Sequence, residues 1–145
     1  MKIFLTLLMS IIATPVLCEN LLVTDAWSRA TIPGRMGAIY ATLENVSDTD
    51  IRIKAIKTDV AKVAQIHESY LDDGMMRMRR IKRFSIPAGE RRQLEPGGLH
   101  IMLMRLPKPL SEGSQFMLTL DLEEGDDVVI PVVVGSMGQT SKPVE

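Results

Sequence analysis

The chain has 145 residues, 17 Lys or Arg against 18 Asp or Glu, and 46% hydrophobic residues, enough for one domain with a real core. Its formal charge of −1 carries no basic bias, so the footprint of a nucleic-acid binder is missing. A single cysteine, Cys18, excludes a disulfide framework within the chain. The first segment in chain order is a targeting signal. Met1-Lys2 is a short basic start, Ile3 to Ala13 runs without a charge, and a polar phase opens at Glu19-Asn20. This is the layout of a secretory signal peptide over residues 1–18, with cleavage expected after Cys18, and its apolar run is too short to span a bilayer. The mature domain is then residues 19–145, exported to the periplasm, with no membrane span and no thiol. Loss of Lys2 takes its formal charge from −1 to −2.

Strand-like segments follow almost without interruption: Leu21–Trp27, Met36–Asn45, Asp50–Thr58, Val63–Tyr70, Gly74–Ile81, Arg91–Pro96, Leu99–Leu106, Phe116–Glu123 and Asp127–Gly135. Turn signals separate them, among them Pro33-Gly34, Asp72-Asp73-Gly74, Pro96-Gly97-Gly98 and Gly125-Asp126. Short strands at regular spacing, with no helical period, predict an all-β sandwich or barrel in one domain. The stretch before Tyr70 could pass for a short helix on propensity, but strand is the reading taken. Trp27 is expected in the core, as a large aromatic usually is.

The usual catalytic constellations are missing. There is no G-x-S-x-G, no glycine-rich phosphate loop before a helix and no H-E-x-x-H. Most carboxylates fall in turns and read as solvated surface. The two histidines, His67 and His100, stand out instead, because each keeps company with methionines. Met75, Met76 and Met78 follow His67 across the Asp-Gly turn, and Met102 and Met104 share the strand face of His100. His67, Met78, His100 and Met102 can therefore converge from three neighbouring strands. Thioether sulfur is soft and imidazole borderline, a set that suits Cu(I) over hard cations. All four donors are neutral, so a bound Cu(I) leaves a charge of only +1, whereas a divalent ion would leave +2 at a partly apolar site. Zinc would usually recruit cysteine or carboxylate, and a blue-copper centre needs a thiolate. Methionine is also a common gap-filler of cores, so a plain packing role competes with this reading for any one of these residues. Arg77, Arg79, Arg80, Lys82 and Arg83 around Met78 read either as a solvated face or as a basic collar at a copper exit.

The spacing of the four donors, with ten residues between His67 and Met78, twenty-one between Met78 and His100, and one between His100 and Met102, is identical to the copper motif of the periplasmic copper chaperone family PCuAC. The chain resembles that family over essentially the whole mature length, including Asp25–Gly34, Gly37–Asn45, His67–Arg79, Ile86–Glu90 and Leu94–Gly113. The resemblance implies a Greek-key, cupredoxin-like β-sandwich that binds Cu(I) through His67, Met78, His100 and Met102. It also implies a monomeric metallochaperone, not an enzyme, that serves the binuclear copper centre of cytochrome c oxidase subunit II alongside Sco-type proteins. Sequestration of copper for resistance is the alternative. Two departures from the family pattern are visible. Ser69 stands where many members carry a further methionine, and the C-terminal segment has only Met137 where some members have a His/Met-rich tail for Cu(II). Met75, Met76 and Met104 are expected to pack around the site rather than bind the ion.

Overall fold

The structure, a computed structural model, describes residues 20–144. The expected signal peptide and Cys18 lie outside the described residues. Ten strands account for all the regular structure described: β1 (Leu21–Arg29), β2 (Gly37–Asn45), β3 (Ile51–Thr58), β4 (Val63–Asp72), β5 (Met75–Arg80), β6 (Phe84–Ile86), β7 (Arg91–Leu94), β8 (Leu99–Met104), β9 (Gln115–Leu122) and β10 (Val128–Gly135). The all-β prediction holds, and every expected strand is present. The one unforeseen strand is β6, three residues pairing with the start of β3. Three residues are too few to show a period.

The strands form one hydrogen-bonded sheet in the order β5-β4-β8-β7-β2-β1-β10-β9-β3-β6. A further pairing, Ile56 on β3 with Ala64 on β4, joins the two ends of that order and closes the sheet around its core. Alternation supplies the core. Phe116, Leu118, Leu120 and Leu122 of β9 all point inward, as do Ile101 and Leu103 of β8 and Ile39 and Leu43 of β2. Asn45 is fully buried and has its amide satisfied on both sides. Its Nδ2 donates to the carbonyls of Thr49 (2.7 Å) and Ile86 (2.8 Å), while Oδ1 accepts from Ser47. It fastens the turn after β2 to β6, which explains a buried polar residue in an apolar interior.

Trp27 is buried as expected, but on the far side of the sheet from the core cluster. A β-bulge between Thr24 and Trp27, with Asp25 at φ 56°, inserts one extra residue into β1. The side chains beyond it therefore change face. Ser28 now pairs with core-facing Ile39, and Trp27 lies opposite Tyr40 on the outer face, ring centroids 4.8 Å apart.

Candidate metal centre

The hairpin β4–β5 begins the site. Asp73 (φ 49°) and Gly74 (φ 75°) are its two turn residues, both left-handed, as a type I′ turn requires. That turn fixes the register, setting Ser69 opposite Met78 and His67 opposite Arg80. Met78 is thus the diagonal neighbour of His67 on the same face, within reach of a long side chain. On the other side of β4, His67 pairs directly with His100 and Gln65 with Met102. Ala38 of β2 pairs with Met102 and extends the same face. Three strands therefore bring His67, Met78, His100 and Met102 to one outer patch, while the intervening Ile66, Ile101 and Leu103 fill the core.

The two imidazoles are held alike. The rings of His67 and His100 are nearly parallel, at 23°, with centroids 6.1 Å apart. Nδ1 of His67 lies 3.2 Å from the Gln65 carbonyl, and Nδ1 of His100 lies 3.0 Å from the Gly98 carbonyl. A carbonyl can only accept, so each Nδ1 carries the proton and donates it. The lone pair of each ring is then on Nε2, the tautomer a metal ligand needs. No buried side-chain nitrogen or oxygen among the described residues lacks a partner. His100 Nε2, which has none, therefore keeps contact with solvent although the residue is only 4% exposed. Burial lowers the His100 pKa from its ordinary value; the Gly98 hydrogen bond opposes this, and the charge of His67 adds to it. Burial thus favours the neutral form of the ring, the one that ligates.

A cleft of about 490 Å³ opens over this patch. Met78, His100 and Met102 line it, and His67 lies beside it, one strand over, against His100. Residues of the loop Ala30–Met36 and Met137 after β10 complete the lining. Tyr40, backed by Trp27, forms the floor together with Ala38. Arg29 and Arg35 also reach the cleft, and the Arg29 guanidinium lies 5.7 Å from the Tyr40 ring centre. Among the described residues, no three His, Cys, Asp or Glu are placed to hold a metal. The donors gathered here beyond the two imidazoles are thioethers.

Several expectations change. Met75 and Met76 are more than half exposed on the edge strand β5 and support nothing by packing. Met104 is half-buried beside Val63, as a packing residue would be. Two of the five basic residues are already engaged: Arg77 pairs with Asp72 at 2.6 Å, and Arg79 pairs with Glu68 at 2.6 Å while covering Tyr70. Arg80, opposite His67, has no carboxylate partner among the described residues. Sequence reading missed Met36, Met137, Tyr40, Arg29 and Arg35 as cleft residues. They reach the cleft by loop path and bulge, which leave no periodic signal.

A family model described as "Putative lipoprotein LpqE-like" matches residues 21–134. The chain belongs to this family, the PCuAC family. "Putative lipoprotein Lxx21020" of Leifsonia xyli subsp. xyli is 33% identical over 117 residues, covering 79% of this chain and 70% of that protein. The solution structure of CuI-DR1885 from Deinococcus radiodurans is 29% identical, with a TM-score of 0.63 and 81% of each chain covered. The apo PmoF2 PCuAC domain superposes with a TM-score of 0.71 at 22% identity, covering 84% of this chain and 94% of that one, a likeness of fold. The Greek-key, cupredoxin-like sandwich expected of a PCuAC member is the fold observed.

Proposed function

We propose that the protein is an exported carrier of Cu(I), holding one ion with His67, Met78, His100 and Met102 and handing it on without catalytic turnover. The observation that carries this reading is the convergence of three of these side chains on one cleft, with His67 in register against His100. The donor set fits the ion. Two imidazoles with Nε2 free and two thioethers are neutral, borderline and soft donors respectively, and they match a monovalent d10 cation. A PCuAC relative at 29% identity has been solved with Cu(I), which supports the same cargo here. A relative named as a lipoprotein and the apolar start of this chain both support export.

Delivery is favoured over sequestration by Arg29 and Arg35 on the cleft wall. Fixed cations beside a cationic cargo raise its energy and ease its release. The recipient inferred from the family resemblance is the binuclear copper centre of cytochrome c oxidase subunit II, with Sco-type proteins acting alongside. Anaerobic Cu(I) titration of the purified protein against a competing chelator tests the reading. One equivalent held tightly, and lost on Met102→Leu, is expected. No competition with the chelator would end the carrier reading, and a bound ion that an acidic acceptor domain cannot withdraw would favour sequestration.

A further inference from the structure

Half of the cleft's thioethers are not explained by the four-residue site. Met36 and Met137 line the same cleft as Met78 and Met102, yet they come from other segments, the loop before β2 and the turn after β10. Each is about three-fifths exposed, at 60% and 62%, although an apolar side chain gains by burial. Their backbones are nonetheless fixed. Thr31 ties the loop before Met36 to Leu110, through its N–H to the Leu110 carbonyl at 3.0 Å and its Oγ1 accepting the Leu110 N–H at 2.8 Å. The turn carrying Met137 closes through Gln139, whose Oε1 accepts the Ser136 N–H and whose carbonyl accepts Arg29 Nε at 2.6 Å. Gly135 beneath it leaves no room for a Cβ, which would come within 2.8 Å of Pro143. Flexible thioethers on pinned backbones, lining the cleft of a soft-metal site, are placed as ligands rather than as packing.

We propose that Met36 and Met137 form a second, weaker station for a soft monovalent cation at the mouth of the cleft, through which Cu(I) exchanges ligands on its way in or out. This rests on the carrier reading above. Ligand exchange moves no electrons: one thioether bond to Cu(I) forms as one bond from the inner set breaks. The station is the weaker one for two reasons. It adds no imidazole, and Arg35 precedes Met36 while Arg29 holds the Met137 turn, so positive charge sits on that lip.

The test is a silver(I) titration of protein labelled with 13C at the methionine methyls, silver standing in for Cu(I) as a redox-inert ion of the same charge and softness. The first equivalent should move the Met78 and Met102 methyls, and further silver should then move those of Met36 and Met137. Met117, exposed on β9 and not among the residues that line the cleft, is the internal control. If Met36 and Met137 stay still, or move no earlier than Met117, the station does not exist. If Met78 and Met102 do not move with the first equivalent, it is the carrier reading that falls, whatever the outer pair does. In transfer to a chelator, Met36→Leu combined with Met137→Leu should slow release at least about threefold while leaving the first-equivalent affinity within about twofold. Unchanged release kinetics would also overturn the proposal.

Discussion

His67 and His100 stand directly opposite each other on β4 and β8, and each ring is fixed by the carbonyl two residues before it. The same local bond thus presets both Nε2 atoms. Preset ligands lose less freedom on binding. The two residues still differ, because His100 is 4% exposed while His67 is only half-buried.

That difference separates their alanine variants. Both should weaken Cu(I) binding strongly. His67→Ala should leave urea unfolding close to wild type, while His100→Ala should cost about 1–3 kcal/mol, because it empties a buried position and removes one of the two hydrogen bonds that the Gly98 carbonyl accepts, the Ser69 N–H keeping the other. Equal stability losses for the two variants would contradict the burial difference.

Acid should weaken the apo fold through His100. Burial sets its folded pKa below the ordinary value of about 6.5, so the unfolded chain binds the proton first as pH falls. The contribution is whole above that value and is lost as pH drops below it. Urea midpoints measured between about pH 7.5 and pH 5 should fall for the wild type and fall less for His100→Gln. Parallel curves for the two proteins would assign the acid loss to other groups.

The two methionines of β8 should behave oppositely. Met102→Leu should reduce Cu(I) affinity with little change in stability, since a volume-conserving swap costs under about 1.5 kcal/mol. Met104→Leu, beside Val63, should alter neither by much. Loss of binding on Met104→Leu alone, read in a chelator competition, would mean that Met104 supplies the thioether.

Gly74 controls the position of Met78 through the turn. A β-branched residue cannot hold its φ of 75° without strain, although nothing lies within 4 Å of the added Cβ. Gly74→Val should therefore lower both stability and Cu(I) affinity, while Gly74→Asn, which tolerates the left-handed region, should restore most of both. An affinity unchanged in the valine variant would separate Met78 from the site.

Arg80, rather than the whole basic run, should steer an acidic acceptor. Arg80→Glu should slow transfer at low ionic strength, the difference fading as salt screens it, and should tighten Cu(I) binding modestly, because it removes a like charge opposite His67. Arg79→Glu should instead cost a few tenths of a kcal/mol up to about 1 kcal/mol by breaking an exposed pair with Glu68. Stopped-flow transfer across a salt series distinguishes them, and identical wild-type and Arg80→Glu rates at every salt would return Arg80 to a solvated face.

Period and turn chemistry carried much of this protein in its sequence. Alternation in Phe116–Leu122 named the core face of β9, and Asp73-Gly74 named the hairpin that fixes Met78 against Ser69. Met78 beside His67 was readable too, because a short turn converts sequence distance directly into cross-strand position, whereas His100 and Met102 joined them in the sequence only through the family resemblance, the β4–β8 pairing being long-range. Tertiary structure alone decided the rest. Trp27 is buried as expected, but the bulge at Asp25 set it beside Tyr40 rather than Ile39, and one extra residue in a strand reverses every side chain after it without any mark in the hydrophobic pattern. Met36 and Met137, about a hundred residues apart, became neighbours of the site only through Thr31–Leu110 and Arg29–Gln139 contacts. Those contacts depend on how the closed sheet brings its loops to one end, a long-range geometry that no local periodicity encodes.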